Sequence, residues 1–217
     1  MTRHSKVKVG FFSFTEVTDP REHRSYNEWH QLDHMPEQFP LRGIAYGQRW
    51  VSTPACRVAR AASTELLDPI HYVTLYLMTE PVDETLREFF ALGKELHEQD
   101  RFHQHRKAHL SGPFSLVATA AAARVLISAE AVPFRPHRGI YVVVQPTDSL
   151  AMSVDAAVSM PGVAGTWAFA DEQLRITVMW CDGDVLDVAA RVGKIDGAEF
   201  AGPFETITPW QWDWFDQ

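Results

Sequence analysis

Two histidines, three acids, a tyrosine and a tryptophan fall within one short stretch, Tyr26-Asn27-Glu28-Trp29-His30-Gln31-Leu32-Asp33-His34-Met35-Pro36-Glu37. An imidazole changes charge near neutral pH, so one held in a cavity can take a proton from a carbon next to a carbonyl. His34 is the candidate base. His30 lies one helical turn earlier, Asp33 follows His30 by three residues and Glu37 follows His34 by three, so either acid can orient a ring. Tyr26 is a candidate donor to a carbonyl or enolate oxygen, and Trp29, Asp33 and Glu37 are candidate substrate contacts. The plainer alternative is that His34 and Glu37 satisfy each other at a loop and the acids are solvated. Histidines at i and i+4 also suit a metal, with Asp33 or Glu37 as a further ligand. No HExxH or cysteine-rich spacing accompanies them, so no metal is assigned. No single axial ligand marks a haem site.

A helix must position this stretch. At about 100° per residue, Trp29, Leu32, Met35 and Phe39 share one arc, while Tyr26, His30, Asp33, His34 and Glu37 share the other. The apolar arc is expected to pack on a sheet, leaving the polar arc to water or to a cavity. Pro36 should end or bend the helix.

Around the helix, Val7 to Phe14 reads as a buried strand, Ile44 to Val51 as a second and Ile70 to Met78 as a third. His71 and Tyr72 on the third strand should point to opposite faces, so one of them can complete a pocket. Ser52 to Asp68 is an excursion with a short helix. Asp83 can cap a helix from Glu84 to about Gln99. Gly112-Pro113 is expected to turn the chain into a fourth strand, Phe114 to Thr119. The order is βαββαβ, the split arrangement with both helices on one face of an antiparallel sheet.

The order then repeats: strand Gly139 to Gln145, helix Ser149 to Met160, strands Val163 to Phe169 and Leu174 to Cys181, helix Val185 to Val192, strand Phe204 to Thr208. Two echoes in register support duplication. Leu110-Ser111-Gly112-Pro113-Phe114 parallels Phe200-Ala201-Gly202-Pro203-Phe204, and Arg42-Gly43-Ile44-Ala45 parallels Pro161-Gly162-Val163-Ala164. The expected domains are 1–119, a linker over 120–138, and 139–217. The aromatic tail Pro209 to Phe215 either packs onto the barrel or covers a pocket mouth.

A net charge of −8 over 217 residues, with no basic stripe, argues against nucleic acid as a partner. No apolar run reaches membrane-spanning length, and the segment Met1 to Val7 lacks a signal-peptide core, so a cytoplasmic location is expected. Cys56 and Cys181 are expected to be reduced thiols without a catalytic role.

Tyr26, Trp29, His30, His34, Pro36 and Glu37 resemble a first-helix pattern of the dimeric α+β barrel superfamily, in particular the His-x-Pro of its EthD group. The resemblance implies an α+β fold in which two fused ferredoxin-like βαββαβ units form the barrel within one chain, with a pocket between helices and sheet. The second unit keeps Met160-Pro161 but has neither histidine nor tryptophan on its first helix, so the first unit should hold the site and the second should close the barrel. The superfamily includes isomerases, cyclases, cofactor-free monooxygenases and haem enzymes, so fold does not fix function. The expected function is that of a cofactor-independent isomerase, cyclase or lyase acting on a small apolar or aromatic carbonyl compound, with no membrane partner and with a homodimer compatible. The rivals are a non-catalytic small-molecule-binding or accessory protein of the same fold, and a metal- or haem-dependent enzyme.

Overall fold

A computed structural model describes residues 6–149 and 152–216 of the chain. Nine strands form one antiparallel sheet: β1 (Val7–Val17), β2 (Ile44–Val51), β3 (Ala62–Ser63), β4 (Tyr72–Thr79), β5 (Arg106–Ala121), β6 (Gly139–Pro146), β7 (Val163–Ala170), β8 (Leu174–Cys181) and β9 (Phe200–Thr206). Their order is β2-β4-β1-β5-β7-β8-β6-β9-β3, and β2 also pairs with β9. That pairing closes eight strands into a barrel, with β3 added on β9.

The α+β architecture and the barrel within one chain are as the sequence leads one to expect. Strands β2-β4-β1-β5 and β7-β8-β6-β9 repeat one order, joined by two seams of unequal length. Strand β5 meets β7 from Ser115↔Ala170 to Ala121↔Gly165, whereas β2 meets β9 only at Trp50↔Thr206 and Val51↔Glu205.

Strand alternation sends one set of side chains into the barrel and the other outward. Phe12, Phe14, Trp50, Phe114, Trp167, Phe169, Trp180, Phe200 and Phe204 are all buried in one central cluster. Phe12 meets Phe169 edge-on at 5.2 Å between centroids, and Phe14 meets Phe200 at 6.4 Å, so aromatic contacts join the two halves across the interior. The barrel is thus a packed core, and cavities must lie outside it.

Helices cover the outer face. On the first half these are α1 (His23–Trp29), continued through a π turn (His30–His34) into α2 (Met35–Gln38), and the long α4 (Val82–Glu98). A short α3 (Pro54–Val58) precedes β3. The second half carries α5 (Val154–Val158) and α6 (Val185–Val192).

Several expectations are corrected. Gly112-Pro113 lies inside β5 rather than in a turn before it, where β1 pairs on one side and the β7 pairing has not yet begun. A missing N–H costs nothing at such an open edge. Helix α4 begins after Pro81 with no side-chain cap, and Asp83 sits in its first turn, where an acid favours the helix N-terminus. The helix expected over Ser149 to Met160 is confined to α5, capped by Ser153; Leu150 and Ala151 lie outside the described residues, as do Met1 to Ser5. In the linker, β5 runs on to Ala121, and a 3-10 turn (Ala129–Phe134) buries Val132 while the Ala129 carbonyl accepts from Trp167 Nε1 at 2.9 Å.

Candidate functional site

The first helix stays helical through Pro36 by widening before it. Met35 N–H donates to the His30 carbonyl, an i→i−5 bond, so the π turn spans the two histidines and ends where proline removes the next donor. Such widened turns are the usual answer to a residue that breaks the α ladder, and they recur at functional sites.

The polar arc turns to the sheet and a cavity, one of its two expected settings, while the apolar arc packs inward only in part, through Trp29 and Met35. Tyr26 and His30 are 0% and 4% exposed, while Leu32 and Phe39 are 51% and 48% exposed. The reason is the sheet beneath. The outward face of β1 and β4 presents Ser13, Thr15, Tyr72 and Thr74, which hydrogen-bond a polar helix face better than an aliphatic one. Asn27 Nδ2 donates to Tyr72 Oη at 2.9 Å, and His30 Nε2 lies 3.4 Å from Thr74 Oγ1.

Between this helix, the sheet and α4 lies a cavity of about 290 Å³. His30, His34 and Gln38 reach it from the first helix, and Phe11, Ser13, Thr74 and Tyr76 from the outward faces of β1 and β4. Helix α4 contributes Phe89, Phe90, Gly93 and Lys94, and the segment leading into and along β5 contributes Phe102, Arg106 and Ser111. The walls are therefore mainly aromatic, with a few polar groups converging, the general character of a small-molecule site.

His34 is held between rings: Trp29 stacks on it at 4.7 Å and 24°, and Phe102 meets it edge-on at 5.1 Å. Trp29 is fixed in turn by donating Nε1–H to the Arg101 carbonyl at 2.6 Å. The His30 and His34 centroids are 5.2 Å apart. Arg106 donates to Ser13 Oγ at 3.2 Å and its guanidinium sits 5.7 Å from the Phe102 centroid. Four buried polar atoms of the lining, His30 Nδ1, His34 Nδ1, Gln38 Oε1 and Tyr76 Oη, have no hydrogen-bond partner among the described residues.

Burial sets the electrostatics. It holds the His34 imidazole down to about 4, with the Arg106 charge adding to the effect, and holds His30 well below its ordinary value, with Arg49 and His34 adding. Both rings are neutral at physiological pH, in the form that accepts a proton. Burial also pushes the Tyr76 phenol up, so it stays a hydrogen-bond donor.

Not every expected site residue reaches this cavity. Tyr26 lies behind His30, its ring 5.8 Å from the imidazole and 4.9 Å from Tyr72, and does not line the space. Asp33 and Glu37 orient no histidine. Both pair with Arg101, Glu37 Oε1 at 2.7 Å from Nη2 and Asp33 in close contact with the same nitrogen. His71 accepts from Val17 N–H at 3.2 Å, and Tyr72 bonds His23 Nδ1 at 2.9 Å. His71 precedes β4, so it and Tyr72 both reach His23 and Phe215 instead of opposite faces.

Sequence reasoning missed Tyr76, Arg106, Gln38, Thr74 and Ser13. Their signal is alternation: Ser13 and Thr74 break otherwise apolar strands at outward positions. The tail packs onto the first helix, with Phe215 stacked on His23 at 3.8 Å and Trp212 Nε1 donating to Gln31 Oε1 at 2.9 Å. Among the described residues no three His, Cys, Asp or Glu side chains gather as a metal site. Cys56 and Cys181 are free and buried, and among the described residues no helix is long and apolar enough to cross a membrane.

No family model matches the chain, and no curated protein matches it in sequence. Solved structures do. A protein provisionally described as a chlorite dismutase aligns over 98% of this chain and 99% of its own, at TM-score 0.52 and 10% identity. An anthrone oxidase-like protein aligns over 96% and 94%, at TM-score 0.49 and 9% identity. An arginine-to-lysine variant of the chlorite dismutase from Candidatus Nitrospira defluvii aligns over 98% and 94%, at TM-score 0.46 and 8% identity. The eight-strand closed barrel with helices on its outer face is the dimeric α+β barrel fold.

Proposed function

We propose that the chain is a cofactor-independent enzyme acting on a small aromatic carbonyl compound by proton transfer next to the carbonyl. The site lies in residues 1–119, and residues 139–217, joined by the 120–138 linker, complete the barrel. His34 takes the proton from carbon. Tyr76, a buried protonated phenol, donates to the enolate oxygen, in place of the Tyr26 that the spacing suggests. His30, neutral and bonded to Thr74, flanks the base, and Phe89, Phe90 and Phe102 keep water from the carbanion.

One observation carries the reading: two neutral imidazoles and a phenol with a buried, unpartnered hydroxyl line the same aromatic-walled cavity. Four buried polar atoms without a partner around one cavity suit a ligand that brings its own polar groups. A low pKa weakens His34 as a base in the free protein, so binding must favour its charged form. Haem fits poorly, because about 290 Å³ is at the small end of ligand sites and a macrocycle would displace the phenylalanine walls.

The test is exchange of solvent deuterium into acetophenone, phenylacetone and phenylpyruvate, followed by proton NMR. The wild-type protein should label at least one of them next to the carbonyl. His34→Gln should slow labelling by roughly 10²- to 10⁴-fold. Labelling at the wild-type rate in His34→Gln overturns the role of His34, and no labelling of any of the three overturns the reaction class.

A further inference from the structure

The cavity is cationic in an anionic protein. The chain carries a net charge of −8, yet no aspartate or glutamate lines the cavity, while Arg106 and Lys94 do. Arg106 has no carboxylate partner among the described residues and bonds only the neutral Ser13 hydroxyl. Lys94 stands at the rim beside Glu98, at 3.6 Å, both exposed.

Behind the cavity a second guanidinium adds to this charge. Arg49 is 4% exposed, projects from β2, donates to Asn27 Oδ1 at 3.0 Å and lies 5.7 Å from the Tyr26 centroid, with no acid paired to it among the described residues. Removing a cation from water without a counter-charge is expensive. Chains ordinarily supply an aspartate or glutamate, as this one does for Arg101, Arg124 and Arg135 at the surface. For Arg106 and Arg49 it supplies neutral partners only.

We infer that the ligand brings the missing negative charge: the substrate is an aromatic acid whose carboxylate pairs with Arg106, with its ring against Phe89, Phe90 and Phe102. A guanidinium offers a carboxylate two parallel N–H donors, and the aromatic walls weaken the competition from water. Lys94 at the rim attracts the anion, and Arg49 adds fixed positive potential from behind. Neutralising the field around Arg106 also favours a charged His34, which supplies the pKa rise that the proposed proton transfer needs. The inference rests on the same cavity as the proposed function but does not require proton transfer to occur.

Isothermal titration of the full chain with phenylacetate and with its neutral isostere phenylacetamide tests it. Phenylacetate should bind about tenfold tighter or more. Arg106→Gln should abolish that preference, and Arg106→Lys should keep part of it, since a point charge replaces the two-pronged donor. Lys94→Gln, at the exposed rim, gives a second variant that does not disturb packing and should reduce the preference slightly. Equal or tighter binding of the amide overturns the inference, as does a preference unchanged in Arg106→Gln or the failure of both compounds to bind at millimolar concentration. A retained preference for phenylacetate together with no deuterium labelling rejects the proposed reaction and leaves the anion site standing.

Discussion

Helices α1, α2 and α4 lie over Phe11, Ser13, Thr74 and Tyr76 on one half of the barrel; α5 and α6 lie over Tyr141, Val143, Met179 and Ala201 on the other. The strand order beneath is the same, but the fillings differ. The second layer is closed by Ala157, Val185, Val188 and Ala189, small aliphatic groups that bring the helices close to the sheet. The first layer holds rings and polar groups too bulky and too directional to close in this way, and a cavity remains. The second half buries even its outward Tyr141 under the helices, while the first keeps hydrogen-bonding groups in a space where a ligand can meet them.

The largest expected effect is where the halves do not differ. Phe169→Ala in the shared barrel interior should lower unfolding free energy by about 3–5 kcal/mol, read by denaturant titration, because the ring meets Phe12 across the two halves. Outside the barrel the halves should separate. Met179→Ala in the closed second layer should cost about 2–5 kcal/mol. Phe90→Ala, 54% exposed at the cavity rim, should cost less than about 1 kcal/mol and change ligand affinity instead. Equal losses at the two positions would erase the contrast.

Acid should separate them again. Burial holds His23 and His34 at about 4 and His71 at about 3, with His30 well below its ordinary value, whereas residues 139–217 contain no histidine. In the unfolded chain these rings titrate near about 6.5, so between there and about 4 the unfolded state binds more protons and folded stability falls as pH drops. Above about 6.5 their contribution is complete. Native-state hydrogen exchange at pH 7 and pH 5 should show α1 and β4 amides losing protection more than those of β6 and β8. The smallest effect is expected at Glu37→Gln. This residue pairs with Arg101 outside the cavity, so stability should change by about 1 kcal/mol or less and labelling should not change.

Much of the framework was legible in the sequence because hydrophobic periodicity records which faces are buried. Strands β2 and β8 and helix α6 run between the expected residues, and the paired Gly-Pro echoes each lead to a phenylalanine, Phe114 and Phe204, inside the barrel. The same logic held only in part for the first helix. A wheel assumes that apolar residues turn inward, but a sheet face carrying Ser13, Thr15, Tyr72 and Thr74 draws Tyr26 and His30 in and leaves Leu32 and Phe39 exposed. His30 and His34 could be singled out because their neighbours share the helix. Arg106 and Tyr76 could not, since only the folded sheet brings them to that helix, and Asp33 and Glu37 were misassigned because an arginine as remote as Arg101 claims both.

Chemical-shift mapping of the full chain during titration with phenylacetate tests the central claim, that the first half holds the working site, most directly. The account predicts shifts concentrated at His34, Gln38, Tyr76, Phe102 and Arg106, with the amides of α5 and α6 unmoved. Shifts centred on Arg138, Asp184 and Leu186 at the other half, or none anywhere, would contradict it.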